Sequence, residues 1–351
     1  MRRPFTQARI PGLLALVAIS ALAAGCDRPV AVSSILVEPT STLAATVTIP
    51  TQAAPVEAPS PTFIPTPVPS ATPMMTPTPI PAVLIGAGDI AYCGDGPEYQ
   101  GDEHTAETIG KLLQESPDAA IFTAGDTVYG DGTMDELKKC FDPSWGKYKD
   151  RIHPAPGNHD YMTDQGAPYY AYFGAAAGEA GKGYYSYDLG DWHIVVLNSN
   201  CNDIACGKDS AQVQWLREDL QKSGKLCTLA YWHHPRFSSG KAGGSSAVDA
   251  FWKTAVELGV DVVVNGHDHD YERFAPMNAS GDADPNGVRA FVVGTGGAVL
   301  RDFGEIKPNS EVRYNGTHGV IEFKLYPGSY EWVYVPSEDI ALTDMGSGVC
   351  H

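Results

Sequence analysis

The sequence predicts an α/β domain with a largely buried sheet, preceded by a long segment that cannot build a core. Short apolar runs alternate with segments of helical periodicity between residues 82 and 351, as expected for α/β units. Several of these runs end in a turn followed by polar residues, which is typical of strand ends that bind ligands. Residues 27–81, in contrast, contain thirteen of the 27 prolines. That composition favours an extended, partly polyproline-II linker.

Residues 1–26 have the pattern of an export signal. Three arginines precede an apolar run that is too short for a confident membrane span. The run ends in small residues followed by Cys26, which resembles a bacterial lipoprotein signal. We therefore expect export to the cell envelope and a membrane anchor on lipidated Cys26, with an ordinary cleaved signal and secretion as the alternative. The linker 27–81 would then connect the anchor to a single domain at 82–351.

Periodicity predicts each element of that domain in order. The predicted strands are 82–87, 119–123, 152–155, 184–188, 193–197, 226–232, 260–264, 290–293, 319–325 and 330–335. The predicted helices are 103–114, 210–222 and 248–258, the first because Thr105, Ile109, Leu112 and Leu113 share one face. Strands 184–188 and 193–197 flank Leu-Gly-Asp-Trp, which indicates a hairpin.

The formal net charge of −18 belongs to the folded domain, because four basic and three acidic residues precede residue 82. An acidic surface repels polyanions, so we expect no nucleic-acid partner. A small anion would also be repelled at long range. Any anion site therefore needs strong local positive charge, for which bound cations are the obvious source.

Seven cysteines are present, and six remain if Cys26 carries lipid. An even number in an exported protein favours disulfides, although many pairings are open. A metal cluster is less favoured because there is no Cys-x-x-Cys pair. Cys93 and Cys140 lie near the same ends of the first two α/β units, and Cys201 and Cys206 are close in sequence. The pairs we expect are Cys93–Cys140 and Cys227–Cys350, with Cys201 and Cys206 able to close a small loop.

Five short polar blocks carry the chemistry. They are Gly88-Asp89, Gly125-Asp126-Thr127-Val128-Tyr129, Gly157-Asn158-His159-Asp160, Trp232-His233-His234-Pro235 and Gly266-His267-Asp268-His269. Four directly follow predicted strands, and one follows a strand after a proline, so their side chains should share one cleft. Carboxylates, an amide and imidazoles suit Zn, Fe or Mn. Each block alone is weak evidence: Gly-Asp is typical of a turn, and His233 alone would be a buried core imidazole. Five in order predict a two-metal site.

In this combination the blocks resemble those of the calcineurin-like metallophosphoesterase superfamily. Many members have a histidine two residues after the first aspartate, but Ala91 stands there in this chain. Tyr129 in the second block, and the continuation of the fifth block to Tyr271-Glu272-Arg273, are similar to the purple acid phosphatases. The resemblance spans Asp89 to Arg273. It implies a four-layer α/β sandwich, in which two central mixed β-sheets are flanked by helices.

The resemblance also implies a function: a binuclear-metal hydrolase that cleaves small phosphate monoesters with a metal-activated hydroxide. Two ions are implied, Fe(III) at the first site and Fe, Zn or Mn at the second. The implied metal ligands are Asp89, Tyr129 and His269 for the first ion, Asn158, His233 and His267 for the second, and Asp126 bridging both. His159 would face the substrate and assist the leaving group. A phosphodiesterase with the same metals is the alternative, followed by a non-catalytic surface lipoprotein.

Two features bear on how far the resemblance extends. A ligating Tyr129 must be a phenolate, and with an unperturbed pKa of about 10 it favours a strongly acidic ion such as Fe(III); its alternative role is aromatic packing. Plant members have further substrate-facing histidines after the fourth block, but residues 238–243 contain none. Lys241, Arg236, His234 and His318 all remain candidates for that position.

Overall fold

The computed structural model describes residues 79–94, 96, 100–338, 340 and 344–351. The signal at 1–26, the lipidation of Cys26 and nearly all of the linker 27–81 lie outside these residues. Within them, none of the helices combines the length and apolar character that crossing a bilayer requires.

The described residues form a domain of alternating strands and helices. Its strands are β1 Ala82–Ala87, β2 Ala91–Tyr92, β3 Ala120–Ala124, β4 Val128–Tyr129, β5 Ile152–Ala155, β6 Tyr185–Leu189, β7 Trp192–Val196, β8 Cys227–Tyr231, β9 Val262–Asn265, β10 Tyr271–Phe274, β11 Arg289–Val293, β12 Ser310–Tyr314, β13 Gly319–Tyr326, β14 Ser329–Pro336 and β15 Met345–Val349. Its α-helices are α1 Gly101–Glu115, α2 Met134–Glu136, α3 Ala167–Phe173, α4 Ala211–Lys222 and α5 Asp249–Glu257.

Two large sheets organise the described part of the chain. The first has six strands in the order β15-β14-β13-β1-β3-β5, and the second has seven in the order β12-β10-β11-β9-β8-β7-β6. β1, β3 and β5 run parallel, while β13, β14 and β15 pair antiparallel. In the second sheet β7, β8, β9 and β11 are parallel, and β6, β10 and β12 are antiparallel. Both sheets are therefore mixed, as predicted.

The two sheets pack face to face through aromatic side chains. Phe122 lies 5.2 Å from Tyr231 between ring centroids, and Phe291 lies 5.4 Å from Phe323. Each such side chain is fully buried, and burial of this kind contributes about 2 kcal/mol or more. Helix α1 covers the first sheet, while α4 and α5 cover the second. The predicted four-layer sandwich is thus confirmed.

The predicted strands and helices are confirmed to within about two residues at each end. The elements that the sequence did not predict are α2, α3, β10, β12, β15 and the short pair of β2 with β4. Strand β15 contains two glycines among five residues and lies at a sheet edge, so its pattern is weak. Helix α3 is rich in tyrosine, which is a poor helix former, and its four buried aromatic residues show that packing stabilises it.

Three disulfides join described residues: Cys93–Cys140, Cys201–Cys206 and Cys227–Cys350. The two predicted pairs and the predicted small loop are confirmed. Cys227–Cys350 links β8 to the C-terminal residues across 123 positions, and closing so long a loop restricts the unfolded chain strongly. Such bonds are typical of proteins in oxidising compartments.

Candidate metal centre

The five polar blocks meet because they follow strands that end at one edge of the sandwich. The register of β1 on β3 pairs Ala87 with Thr123, so the first two blocks continue side by side. Backbone hydrogen bonds extend this pairing beyond the strands, from Asp89 N to Gly125 O at 3.0 Å and from Ile90 N to Asp126 O at 2.9 Å. The third block follows β5, and the fourth and fifth follow the parallel strands β8 and β9.

Three of the predicted ligands have a strained backbone. The φ angle is +61° at Asp89, +50° at Asp126 and +72° at His267. Residues other than glycine adopt this left-handed region at a cost of about 1–2 kcal/mol each. The turn directs each side chain inward at the end of its strand. Strain of this kind, repeated at three polar residues in one cleft, is characteristic of a functional site.

Glycines before two of these turns allow the blocks to approach one another closely. A Cβ on Gly125 would lie 2.5 Å from His233 Nδ1, and one on Gly266 would lie 2.5 Å from Asp89 Oδ2. Both distances are shorter than van der Waals contact allows. The glycines are therefore required by the close approach of the first, second, fourth and fifth blocks.

The first cluster of donor atoms joins Asp89, Tyr129 and His269. The Tyr129 hydroxyl lies 2.6 Å from Asp89 Oδ1 and 2.8 Å from His269 Nε2. His269 Nε2 lies 3.4 Å from the same carboxylate oxygen. All three side chains are almost fully buried. One small volume is therefore surrounded by a carboxylate, a phenol and an imidazole.

The second cluster is centred on His233 Nε2. Asp126 Oδ2, Asn158 Oδ1 and His267 Nδ1 each lie 3.2 Å from this atom. The two clusters adjoin, because ligand atoms of Asp89, Asp126 and His233 all lie within 4.8 Å of one another. The Asp126 carboxylate is also close enough to the Tyr129 hydroxyl to raise the pKa of that phenol. This carboxylate thus stands between the two clusters.

Backbone carbonyl groups fix the orientation of two of the imidazoles. His233 Nδ1 lies 2.8 Å from Ala124 O, and His269 Nδ1 lies 2.7 Å from Val299 O. In a neutral imidazole the nitrogen that faces a carbonyl carries the proton, so Nε2 would be the atom available to bind a metal ion in the cluster. This arrangement is common for histidines that ligate metals.

The donor atoms fit metal ions. Ligands bound at roughly 2.0–2.2 Å to one ion lie about 3.0–3.5 Å apart. The three 3.2 Å separations of the second cluster lie in this range, as does the 3.4 Å separation of the first, in which the Tyr129 hydroxyl is closer to its neighbours, at 2.6 and 2.8 Å. Carboxylate, imidazole and amide donors suit borderline transition metals. The seven predicted ligands therefore form two adjoining sets of suitable chemistry.

Burial and neighbouring charges shift the pKa values of these groups strongly. Burial raises the pKa of Asp89, and burial together with the Asp89 and Asp126 carboxylates raises the pKa of Tyr129 well above its usual range. The pKa of Asp126 is lowered despite its burial, because it faces His233. Burial lowers the pKa of His233, but the Asp126 and Asp89 carboxylates and the hydrogen bonds to Asp126 and Ala124 together outweigh it and raise the pKa to about 9. The site thus concentrates negative charge that a cation would neutralise.

His159 lies at the edge of the second cluster and is half-buried. Its backbone N–H donates to Asp126 Oδ1 at 2.8 Å, and its Nδ1 lies 2.8 Å from Gly130 O. Its ring lies 4.4 Å from that of Tyr129, at a tilt of 48°. With Nδ1 directed at a carbonyl, Nε2 has no hydrogen-bond partner within the described part of the chain.

The structure also separates the four candidates for the missing substrate-facing histidines. The ring of His234 lies 4.4 Å from that of His267, and its Nδ1 is 2.8 Å from Ser199 Oγ. The other three lie in different surroundings. Arg236 pairs with Asp249, His318 contacts Ala298 O, and Lys241 is exposed. Of the four, His234 is the one that joins the second cluster.

Two groups near the centre were missed by sequence reasoning. Asn198, Ser199 and Asn200 are buried at the end of β7 and contact the third and fourth blocks. Their signal was the same as that of the five blocks, a polar run after an apolar strand. The buried Asp270 carboxylate has no hydrogen-bond partner among the residues described, and burial raises its pKa to about 8.

Comparison with known proteins agrees with this geometry. The family model for calcineurin-like phosphoesterases matches residues 83–271, more than half of the chain. Purple acid phosphatase 15 of Arabidopsis thaliana is 30% identical over 248 residues, which cover 60% of this chain and 45% of the relative. The chain spans about half the length of the curated relatives it matches.

Solved structures share the fold. The purple acid phosphatase PPD1 from yellow lupin (Lupinus luteus) has a TM-score of 0.59 at 19% identity, covering 76% of this chain and 53% of that one. GAP50, the anchor in the inner membrane complex of Plasmodium, has a TM-score of 0.58 at 13% identity, covering 76% and 88%. The family match, supported by these folds and by the paired donor clusters, shows that the chain belongs to the calcineurin-like phosphoesterase family.

Proposed function

We propose that the chain is a binuclear-metal phosphatase, similar to the purple acid phosphatases, that hydrolyses small phosphate monoesters. The observation that carries this proposal is the pair of adjoining donor clusters, with Asp126 between them. Asp89, Tyr129 and His269 would hold one ion, and Asn158, His233 and His267 the other. Two ions held side by side neutralise phosphate charge and lower the pKa of bound water, which supplies the nucleophile.

The chain's own residues have distinct parts in this proposal. The strained turns and backbone-anchored imidazoles hold the donors in place before substrate arrives, which reduces reorganisation during the reaction. His159 is oriented by Gly130 O and Asp126. In its imidazolium form both ring nitrogens carry a proton, and Nε2 would then donate a proton or a hydrogen bond to the departing oxygen.

Tyr129 supports Fe(III) as the ion at the first cluster. Its hydroxyl is buried beside Asp89 and Asp126, and both carboxylates raise its pKa. Ionisation of this phenol therefore requires a strongly polarising cation at the same site. The second ion is proposed as Fe, Zn or Mn, because neutral imidazoles and an amide can bind each of these metals.

The same centre could cleave phosphodiesters, and a non-catalytic role is a further alternative. Metal-loaded full-length protein is expected to hydrolyse p-nitrophenyl phosphate faster than bis(p-nitrophenyl) phosphate, because two adjoining ions favour a dianionic phosphate. Initial rates of p-nitrophenol release measure both reactions. Faster cleavage of the diester would show that the enzyme is a phosphodiesterase rather than a phosphatase. Hydrolysis of neither ester would leave the non-catalytic role.

Export and lipid anchoring through Cys26 are part of the proposal. They are supported by the signal-like residues 1–26 and agree with disulfides typical of oxidising compartments. The acidic domain favours a small phosphate ester over nucleic acid as partner.

A further inference from the structure

A pocket adjoins the second cluster of the metal centre. Its volume is about 330 Å³, and two of its lining residues, Asn158 and His234, also belong to the centre or contact it. The remaining lining includes Tyr161, Asn200, Asn202, Asp203 and Ser245. A phosphate bound at the centre would therefore carry its ester group within reach of this pocket.

The wall of the pocket is held in place by hydrogen bonds and a disulfide. Asn198 Nδ2 donates to Tyr161 Oη at 2.6 Å, and Asn200 Nδ2 donates to Gly157 O at 3.1 Å. The second bond ties the wall to the block that carries Asn158. Cys201–Cys206 closes the next turn of the chain. A wall that is ordered before binding loses little entropy when a ligand enters, so it can select by shape and charge.

The lining of the pocket mixes polar and apolar groups and contains neither lysine nor arginine. Six of its eleven lining residues carry an amide or a hydroxyl group, and among these described residues the one carboxylate is Asp203. The nearby Arg236 is already engaged, because it forms an ion pair with Asp249 at 3.0 Å. A second anionic group on a ligand would therefore meet an uncompensated carboxylate, which is a repulsive element that generates specificity.

We propose that this pocket receives the alcohol portion of the ester and selects uncharged, hydroxyl-rich alcohols, such as sugars and polyols. This role rests on the proposed function. Asparagine side chains, Ser245 and Asp203 offer hydrogen-bond donors and acceptors to hydroxyl groups. Alcohols that carry a further phosphate or carboxylate are disfavoured by Asp203. Asp203 is thus a specificity-determining residue, separate from the residues that bind metal.

The experiment compares kcat/KM of the metal-loaded, full-length protein on three esters: p-nitrophenyl phosphate, glucose 6-phosphate and fructose 1,6-bisphosphate. The wild type is expected to prefer the monophosphate sugar over the bisphosphate by about tenfold. Asp203→Lys is expected to raise the ratio of kcat/KM for the bisphosphate to kcat/KM for glucose 6-phosphate by about tenfold. Asp209→Lys, an exposed site outside the pocket, is the matched control for added surface charge.

The outcomes are distinguishable. The proposed role of the pocket would be overturned if Asp203→Lys and Asp209→Lys gave the same ratio of bisphosphate to monophosphate hydrolysis. Hydrolysis of p-nitrophenyl phosphate would still support the phosphatase in that case. Absence of hydrolysis of all three esters by the wild type would overturn both proposals. A change confined to Asp203→Lys supports the pocket.

Discussion

The metal centre and the pocket beside it are neighbours, but the chain builds them in different ways. The centre is formed by residues that directly follow parallel strands, so the sheet register determines which side chains meet. The pocket wall is formed by a loop after β7, which hydrogen bonds and the Cys201–Cys206 disulfide hold in place. Under the proposed function, residues at the ends of the strands would carry the chemistry, while residues in the loop would select the substrates.

This difference also appears in the tolerance to substitution that we expect. A change at the centre would remove one of the seven proposed metal ligands and is expected to lower the rates for all substrates. A change in the proposed pocket is expected to alter the preference between substrates.

The largest effect is expected for Asp126→Asn. Asp126 stands between the clusters and carries a lowered pKa, so the substitution removes the negative charge shared by both ions. We expect loss of both metals, measured by elemental analysis, and a fall in kcat of at least about a thousandfold. Asp118→Asn, at an exposed position before β3, is the matched control and should keep the wild-type metal content. Retention of two ions per chain by the Asp126 variant would contradict the bridging role.

A smaller effect is expected for His159→Asn. The side chain is placed beside the centre without being one of the seven donors, so metal content should stay at the wild-type value. Loss of a proton donor typically lowers the rate about 10²–10⁴-fold, and the loss should be greatest for esters with poor leaving groups. Steady-state kinetics with p-nitrophenyl and alkyl phosphates measure the loss of rate for good and for poor leaving groups.

His104→Asn, on the exposed face of α1, is the control for replacing a histidine. An equal loss on both classes of ester would show that His159 acts on binding or structure rather than on the leaving group.

The effect of Asp203→Lys, about tenfold, is the smallest and concerns preference alone. This variant distinguishes the pocket from the metal centre. A pocket residue should change the ratio of the hydrolysis rates of two substrates, whereas a metal ligand should reduce all rates together.

The sequence was sufficient for the fold class and for two disulfide pairs that link distant parts of the chain. The seven residues that it proposed as ligands lie together in the structure, and their binding of metal stays a prediction. Glycine followed by a polar residue after an apolar run marks a strand end, and this signal is local. The sequence did not predict β12 and β15, since edge strands have little apolar alternation, and it missed Ser199 and Asn200. The polar run after β7 was a usable local signal, but it does not encode which blocks these residues contact, because that depends on long-range hydrogen bonds such as Asn200 with Gly157.

Sequence reasoning also left the group that replaces the absent substrate histidines open. Four side chains had suitable chemistry, and choosing among them required their distances from the centre. His234 lies beside His267, while Arg236 is engaged with Asp249. The outcome depends on how the chain turns after β8.

Metal analysis combined with the visible spectrum of the purified protein tests the central claim most directly. We predict two metal ions per chain, at least one of them iron, and a visible absorption band from Tyr129 bound to Fe(III). Tyr129→Phe should abolish the band with the fold intact, whereas Tyr92→Phe, whose ring stacks 5.7 Å from that of Tyr129, should retain it. A colourless protein that contains zinc alone, or a band that persists in Tyr129→Phe, would contradict the account.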